Sequence, residues 1–294
     1  MARVSGGELA GAVAAAGGLG MIGVGGATEP EFIAREGALA RGRGRFGFGL
    51  MCWALEQRPE LLDAVLEAKP HVVALSFGDP APWVERVHAA GARAVSQVQD
   101  SESARQALDA GVDALVAQGT EAGGHTGGVG TLPLLQIVLE LVGDRHVPVL
   151  GAGGIATGRG VAAVIAAGAQ GAWIGTRFAA THEALRGEDA KQRLVDARET
   201  ETVLTRVYDV AQDIPWPERF PGRALRTDFT QRWHGREEEL GAERESAAAG
   251  MGDYDYAGQG VGAIHGIESA GDLVEHLARE AEWALAEAYR QTSG

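Results

Sequence analysis

Val147-Pro148-Val149-Leu150-Gly151-Ala152-Gly153-Gly154-Ile155, followed by a helix-like run over 157–167 and then by Gly171-Ala172-Trp173-Ile174-Gly175-Thr176-Arg177-Phe178, decides the fold of this chain. Each half is a short apolar strand that ends in glycines with a helix behind it. Two consecutive strands ending this way aim free backbone N–H groups and helix dipoles at one spot, the donors that hold a dianionic phosphate. In (β/α)8 barrels a phosphate sits after strands seven and eight. Ordinary loop punctuation is the plain alternative, since glycine also ends helices where no ligand binds.

Upstream, Ala117-Gln118-Gly119-Thr120-Glu121-Ala122-Gly123-Gly124-His125-Thr126-Gly127-Gly128 places one histidine in a glycine-rich turn after an apolar strand at 112–117. The glycines admit positive φ and close approach of a ligand, and His125 is the one side chain there that titrates near neutral pH. A flexible loop carrying a surface histidine is the alternative. The rest of the first half repeats the unit. Helix-like runs at 29–41, 59–68, 81–90 and 101–110 alternate with strands at 46–50, 72–76, 92–98 and 112–117, the pattern of parallel βαβ units. With a strand at 19–24 first and 171–174 last, seven strands are expected. A closed barrel needs eight, and Met1-Ala2-Arg3-Val4 runs directly into a helix at 9–16, which implies an upstream strand of which only the last residues are present.

The stretch 9–28 carries no charged side chain, but Ala and Gly dominate it and Glu8 precedes it, so it reads as helix, turn and buried strand rather than a span or a leader. Ser5-Gly6-Gly7-Glu8 resembles a capping start for that helix. Gly18-Leu19-Gly20-Met21-Ile22-Gly23 matches G-x-G-x-x-G, yet a dinucleotide fingerprint has its strand before the glycines and its helix after them, and here the order is reversed.

Beyond Phe178 the alternation stops. A helix is expected at 191–204, an irregular loop from Trp216-Pro217 to Pro221, and one or two charged helices over 231–249. Leu273, Val274, Leu277, Ala281, Leu285 and Ala288 then recur at helical spacing. The expected organisation is an α/β (β/α)8 TIM barrel over 1–181 lacking most of its first strand, a helical cap over 182–262 inserted before the last barrel helix, and that closing helix over 263–294.

The 294 residues, 45% hydrophobic, suffice for one large core. A formal net charge of −14 argues against nucleic acid or an anionic membrane as a partner. The single cysteine, Cys52, excludes an internal disulfide and a cysteine-based zinc cluster, fits a reducing cytoplasm, and reads as a buried thiol. No metal site is expected, and homodimerisation is left open.

Gln118-Gly119-Thr120-Glu121-Ala122-Gly123-Gly124-His125, together with Ala152-Gly153-Gly154-Ile155-Ala156-Thr157-Gly158-Arg159-Gly160 and Gly175-Thr176-Arg177-Phe178, resembles the nitronate monooxygenase family, formerly called 2-nitropropane dioxygenases. Similarity extends to Ala74-Leu75-Ser76-Phe77-Gly78-Asp79-Pro80 and to Tyr256-Ala257-Gly258-Gln259-Gly260-Val261-Gly262. The resemblance implies a TIM barrel with bound FMN and a helical cap that oxidises alkyl nitronates with O2 to a carbonyl compound and nitrite. It implies that Gly153, Gly154, Gly175 and Thr176 meet the FMN phosphate, with Trp173 and Ile174 leading into that loop. Gln118, Gly123 and Gly124 would line the flavin, Gln97 would meet its pyrimidine edge, and Met1 and Ala2 match the family's Pro-Met-Ala turn against the isoalloxazine. Gly49 stands where the family usually has an asparagine, and Trp173 where a polar side chain is common. His125 would pair with nitro oxygens when protonated or take the α-proton of a nitroalkane when neutral. The alternatives are an NAD(P)H-dependent flavin reductase of the enoyl-acyl carrier protein reductase type, which shares these turns, and a non-catalytic flavin or phosphate binder. An inosine monophosphate dehydrogenase-like barrel needs a nucleophilic cysteine in the active loop, and Cys52 lies elsewhere.

Overall fold

The computed structural model describes residues 1–293. In chain order the strands are β1 (Gly20–Gly23), β2 (Phe46–Met51), β3 (Val72–Ser76), β4 (Arg93–Val98), β5 (Ala114–Gln118), β6 (Gly124–His125), β7 (Val149–Ala152), β8 (Gly171–Trp173), β9 (Thr202–Thr205) and β10 (Gly222–Leu225). Seven of them pair in the order β1-β2-β3-β4-β5-β7-β8, every neighbour parallel. Successive side chains point to opposite faces of a strand. Val73, Leu75, Ala94, Val98 and Leu115 therefore turn outward into the core they share with Ile33, Leu62, Val87, Leu134 and Val138 of the surrounding helices. Val95, Val116 and Ala152 gather with Trp173 on the inner face. Each outward leucine or valine contributes about 1.5–3 kcal/mol by leaving water.

The seven strands expected from the alternation are the seven that form this curled sheet. Its edges, β1 and β8, do not pair with each other among the described residues. The first residues of the chain lie along β1, where Gly23 N donates to Ser5 O (3.0 Å) and Ser5 Oγ donates to Met21 O (2.5 Å). Ser5 is thus occupied with β1 and does not cap the helix Gly7–Ala15, contrary to the capping start expected there. Gly6 is the N-cap, and the buried carboxylate of Glu36 accepts from Gly7 N at 2.7 Å in its place.

Other departures lie where elements are short. The segment between the histidine turn and β7, given no element from sequence, is the helix Thr131–Val142. The helix expected at 191–204 ends early: Glu188–Asp196 is helical, and Thr202–Thr205 is β9. The β-branched and apolar run Thr202-Val203-Leu204 satisfies its backbone better by pairing with β10. The charged region 231–249 holds three short helices, Asp228–Trp233, Glu237–Ala242 and Arg244–Ala248. The helix Ala270–Ser293 packs on the helix Gly158–Ala166, whose Gly158 N donates to Glu280 Oε2 at 2.7 Å.

A second sheet fixes the mouth of the barrel. β10 lies antiparallel between β9 and β6, with Gly222 opposite both Thr205 and His125. Tyr256 bridges Ala224 on the same sheet. The histidine turn is thereby stitched to the region beyond residue 181.

Candidate active site

Gln118 ends β5 on the inner face, by the same alternation that places Val116 there. Its Nε2 donates to the carbonyl of His125 (3.1 Å), and its Oε1 accepts from Gln99 Nε2 (2.8 Å). Thr126 Oγ1 donates to Gly119 O at 2.9 Å, closing the turn on itself. The backbone of His125 is held from below by a two-amide relay. Gln99, buried and one residue beyond β4, was missed from sequence. The signal was available in Gln97-Val98-Gln99, two amides at a strand end where a helix cap, Asp100, follows.

The imidazole is only 9% exposed, so it does not project into solvent. Its Nε2 lies 3.0 Å from both carboxylate oxygens of Asp209, a buried residue of the helix Val207–Gln212. Trp216 stacks on its face, with ring centroids 3.5 Å apart and planes 7° from parallel. Tyr256 stands 5.3 Å away, measured between ring centroids. Burial, with the carboxylate of Asp209 and the phenols of Tyr254 and Tyr208 adding to it, holds the Tyr256 hydroxyl well above the usual phenol range. Tyr256 therefore stays an O–H group at neutral pH. Trp53 and Phe77 meet Trp216 edge-on at 5.2 and 5.1 Å, and Phe220 meets Phe77 at 5.3 Å. Phe77 adopts φ +61°, a left-handed conformation that costs energy for a bulky residue and recurs at functional sites. Asp209 and Trp216 were also missed. A lone acid among Val207, Tyr208, Val210 and Ala211 signals a buried partner, but not which one.

Gly153 and Gly154 take φ +106° and +71°, which L side chains rarely adopt. The amides of Gly153, Gly154, Gly175 and Thr176 donate to no protein acceptor among the described residues. Four N–H groups left free on two adjacent strand ends fit a phosphate. This set adjoins the histidine turn. A Cβ on Gly123 would sit 2.5 Å from Gly258 N and 2.8 Å from Thr176 Oγ1, so only glycine allows the turn to approach this closely. Gly258 N donates to Thr176 Oγ1 (2.9 Å), and Gln259 N donates to Glu121 O (2.9 Å). The segment from Tyr256 to Gly260 thus ties the turn bearing His125 to the turns bearing the free amides.

His125, Gln118, Gly123, Gly124, Gly153, Gly154, Gly175 and Thr176 are brought into one connected group by these contacts and by chain adjacency. Gln97 reaches it only through its carbonyl, which accepts from Gln99 Nε2 at 3.3 Å, while Met1, Ala2, Trp173 and Ile174 share no hydrogen bond with it. Gln97 lies on the inner face beside Val95. Trp173 packs among Val95, Val116 and Ala152. Met1 and Ala2 lie over β1 and β2: a Cβ on Gly23 would fall 2.4 Å from Ala2 N, and one on Gly49 would fall 2.3 Å from Met1 Cε. The room left by glycine at 49 is filled by the side chain of Met1. Cys52 is buried away from solvent, and burial pushes its thiol well up. Among the described residues, no group of three or more His, Cys, Asp or Glu could hold a metal ion, and no helix is long and apolar enough to cross a membrane.

The profile of the family described as nitronate monooxygenase matches residues 54–280. The chain belongs to the nitronate monooxygenase family. It is 30% identical over 330 aligned positions to a nitronate monooxygenase of Neurospora crassa, covering 96% of this chain and 87% of that protein. A Mycobacterium tuberculosis monooxygenase is 38% identical over 174 positions, 59% of this chain. That match spans 44% of the relative's own length, so the chain covers less than half of some curated relatives. Among solved structures, FabK from Thermotoga maritima superposes with TM-score 0.83 at 30% identity, covering 99% of this chain and 93% of that one. Nitroalkane oxidase from Streptomyces ansochromogenes gives TM-score 0.79 at 30% identity, covering 98% and 95%. The family is one of FMN-dependent oxidoreductases on a TIM barrel, and the free amides at Gly153, Gly154, Gly175 and Thr176 fit its phosphate.

Proposed function

We propose that this chain oxidises alkyl nitronates with O2 to a carbonyl compound and nitrite. The observation that carries the reading is the segment from Gly258 to Gly260, which lies against the turn of a buried histidine, against Thr176 and against Gly154, and so gathers four free amides beside that turn. Gly153, Gly154, Gly175 and Thr176 would hold the FMN phosphate through backbone N–H groups. When bound, FMN supplies the acceptor for the electron that leaves the nitronate and the link to O2.

The chain itself positions the substrate and manages charge and protons. Neutral His125 takes the α-proton of a nitroalkane, and protonated His125 pairs with the nitro oxygens of a nitronate. Trp216, Phe77 and Phe220 shield that exchange from water, which strengthens each charged contact. The alkyl part of the substrate would then meet an aromatic wall. A small molecule and O2 are the partners this reading requires, and the cytoplasm is the compartment it carries.

The second reading is an NAD(P)H-dependent flavin reductase, favoured by the likeness to FabK. Two assays separate them. Nitrite released from ethylnitronate or propionate 3-nitronate under air supports nitronate oxidation. Rapid anaerobic bleaching of the flavin by NADH or NADPH, without nitrite release, supports the reductase. A protein that takes up no FMN supports neither enzyme.

A further inference from the structure

We infer that Asp209 is the positioning residue that fixes the proton of His125 on Nε2 and leaves Nδ1 as the nitrogen that works on substrate. Both oxygens of the carboxylate lie 3.0 Å from Nε2, and no other side-chain hydrogen bond reaches them among the described residues. A carboxylate can only accept, so the shared hydrogen belongs to Nε2. A neutral imidazole has one N–H, so the in-plane lone pair is then on Nδ1, across Cε1 from Nε2 and directed away from Asp209. Nδ1 has no protein hydrogen-bond partner among the described residues. Three contacts keep the ring from turning: Asp209 at its edge, Trp216 flat on its face, and Gln118 on its carbonyl.

The chemistry rests on the proposed nitronate-oxidising function and balances without a co-reactant. The α-C–H bond of a nitroalkane breaks, its proton goes to Nδ1, and its electron pair moves onto the nitro group to give the nitronate. The imidazolium so formed lies against the negative charge of Asp209. A nitronate supplied ready-made bypasses this step.

The test compares FMN-loaded wild type with Asp209→Asn. The amide of the variant can donate to Nε2, which moves the ring proton to Nδ1 and removes the lone pair facing substrate. Turnover on nitroethane relative to turnover on ethylnitronate is expected to fall by about 100-fold or more, the size of a lost general base. Equal losses on both substrates overturn the inference, because a merely structural role moves them together. Nitrogen-15 NMR of ring-labelled wild type, with the His125 signal assigned by its absence in His125→Asn, is expected to show Nε2 protonated and Nδ1 bare in the neutral ring. The opposite tautomer overturns the inference even if the variant does not fold. If wild type oxidises neither substrate, the nitronate reading fails, and the tautomer still decides the role of Asp209.

Discussion

At the scale of single residues, His125 was legible because glycines on both sides of a histidine at a strand end free the backbone to present that ring to a ligand. Its surroundings were not. Asp209 lies 84 residues further on and meets Nε2 only because β10 carries the later region back against β6. Replacing His125 with Asn should leave FMN bound and lower turnover on neutral nitroalkanes by about 100-fold or more. Steady-state assays at matched flavin content check this, and unchanged turnover would remove His125 from the chemistry. Tyr256 makes a separate prediction. Its folded-state ionisation is raised, chiefly by burial, whereas the unfolded chain titrates near the ordinary phenol value of about 10. The unfolded state therefore loses its proton first. The stability this group contributes is complete below about pH 10 and drains away as pH rises towards the folded value. Urea midpoints followed from about pH 9 to about pH 11 should fall less steeply in Tyr256→Phe than in wild type. Parallel falls would show that Tyr256 is not held protonated.

At the scale of elements, the parallel strands could be read because each is a short, mostly apolar run set between helix-like runs, and β3 falls on the residues expected, Val72–Ser76. The antiparallel sheet could not. β6 is two residues long, and β9 and β10 are four each, too short for alternation to tell strand from helix. The helix expected to run on to Leu204 fails there because its residues have a partner strand that sequence periodicity does not reveal. The loop between the helix Val207–Gln212 and β10 was recognised as irregular, but not as the strap that lays Trp216 on His125. Trp216→Ala should lower folding stability by about 0.5–1.5 kcal/mol for the lost stack, with a further loss for the buried area uncovered. Urea unfolding of the FMN-loaded protein checks it. A change within a few tenths of a kcal/mol would mean the strap does not rest on the ring.

At the scale of the whole molecule, the barrel class was legible from the repeating unit, and the two glycine turns with free amides from their positions in it. Their distance from the histidine turn was not, because the segment from Tyr256 to Gly260 that joins them belongs to a later part of the chain. The molecule keeps a curled parallel sheet and covers its mouth with short elements, β6, β9 and β10, whose visible signatures in sequence are few. In the proposed function the free amides at the mouth would take the phosphate through their N–H groups, and His125 would meet the nitronate. The functional reading stands on both anions sharing one mouth with His125. The deciding measurement is nitrite release from ethylnitronate under air by the FMN-loaded protein. Nitrite together with O2 consumption is the expected outcome. Absence of nitrite from a protein whose flavin NADH rapidly bleaches under anaerobic conditions would overturn it.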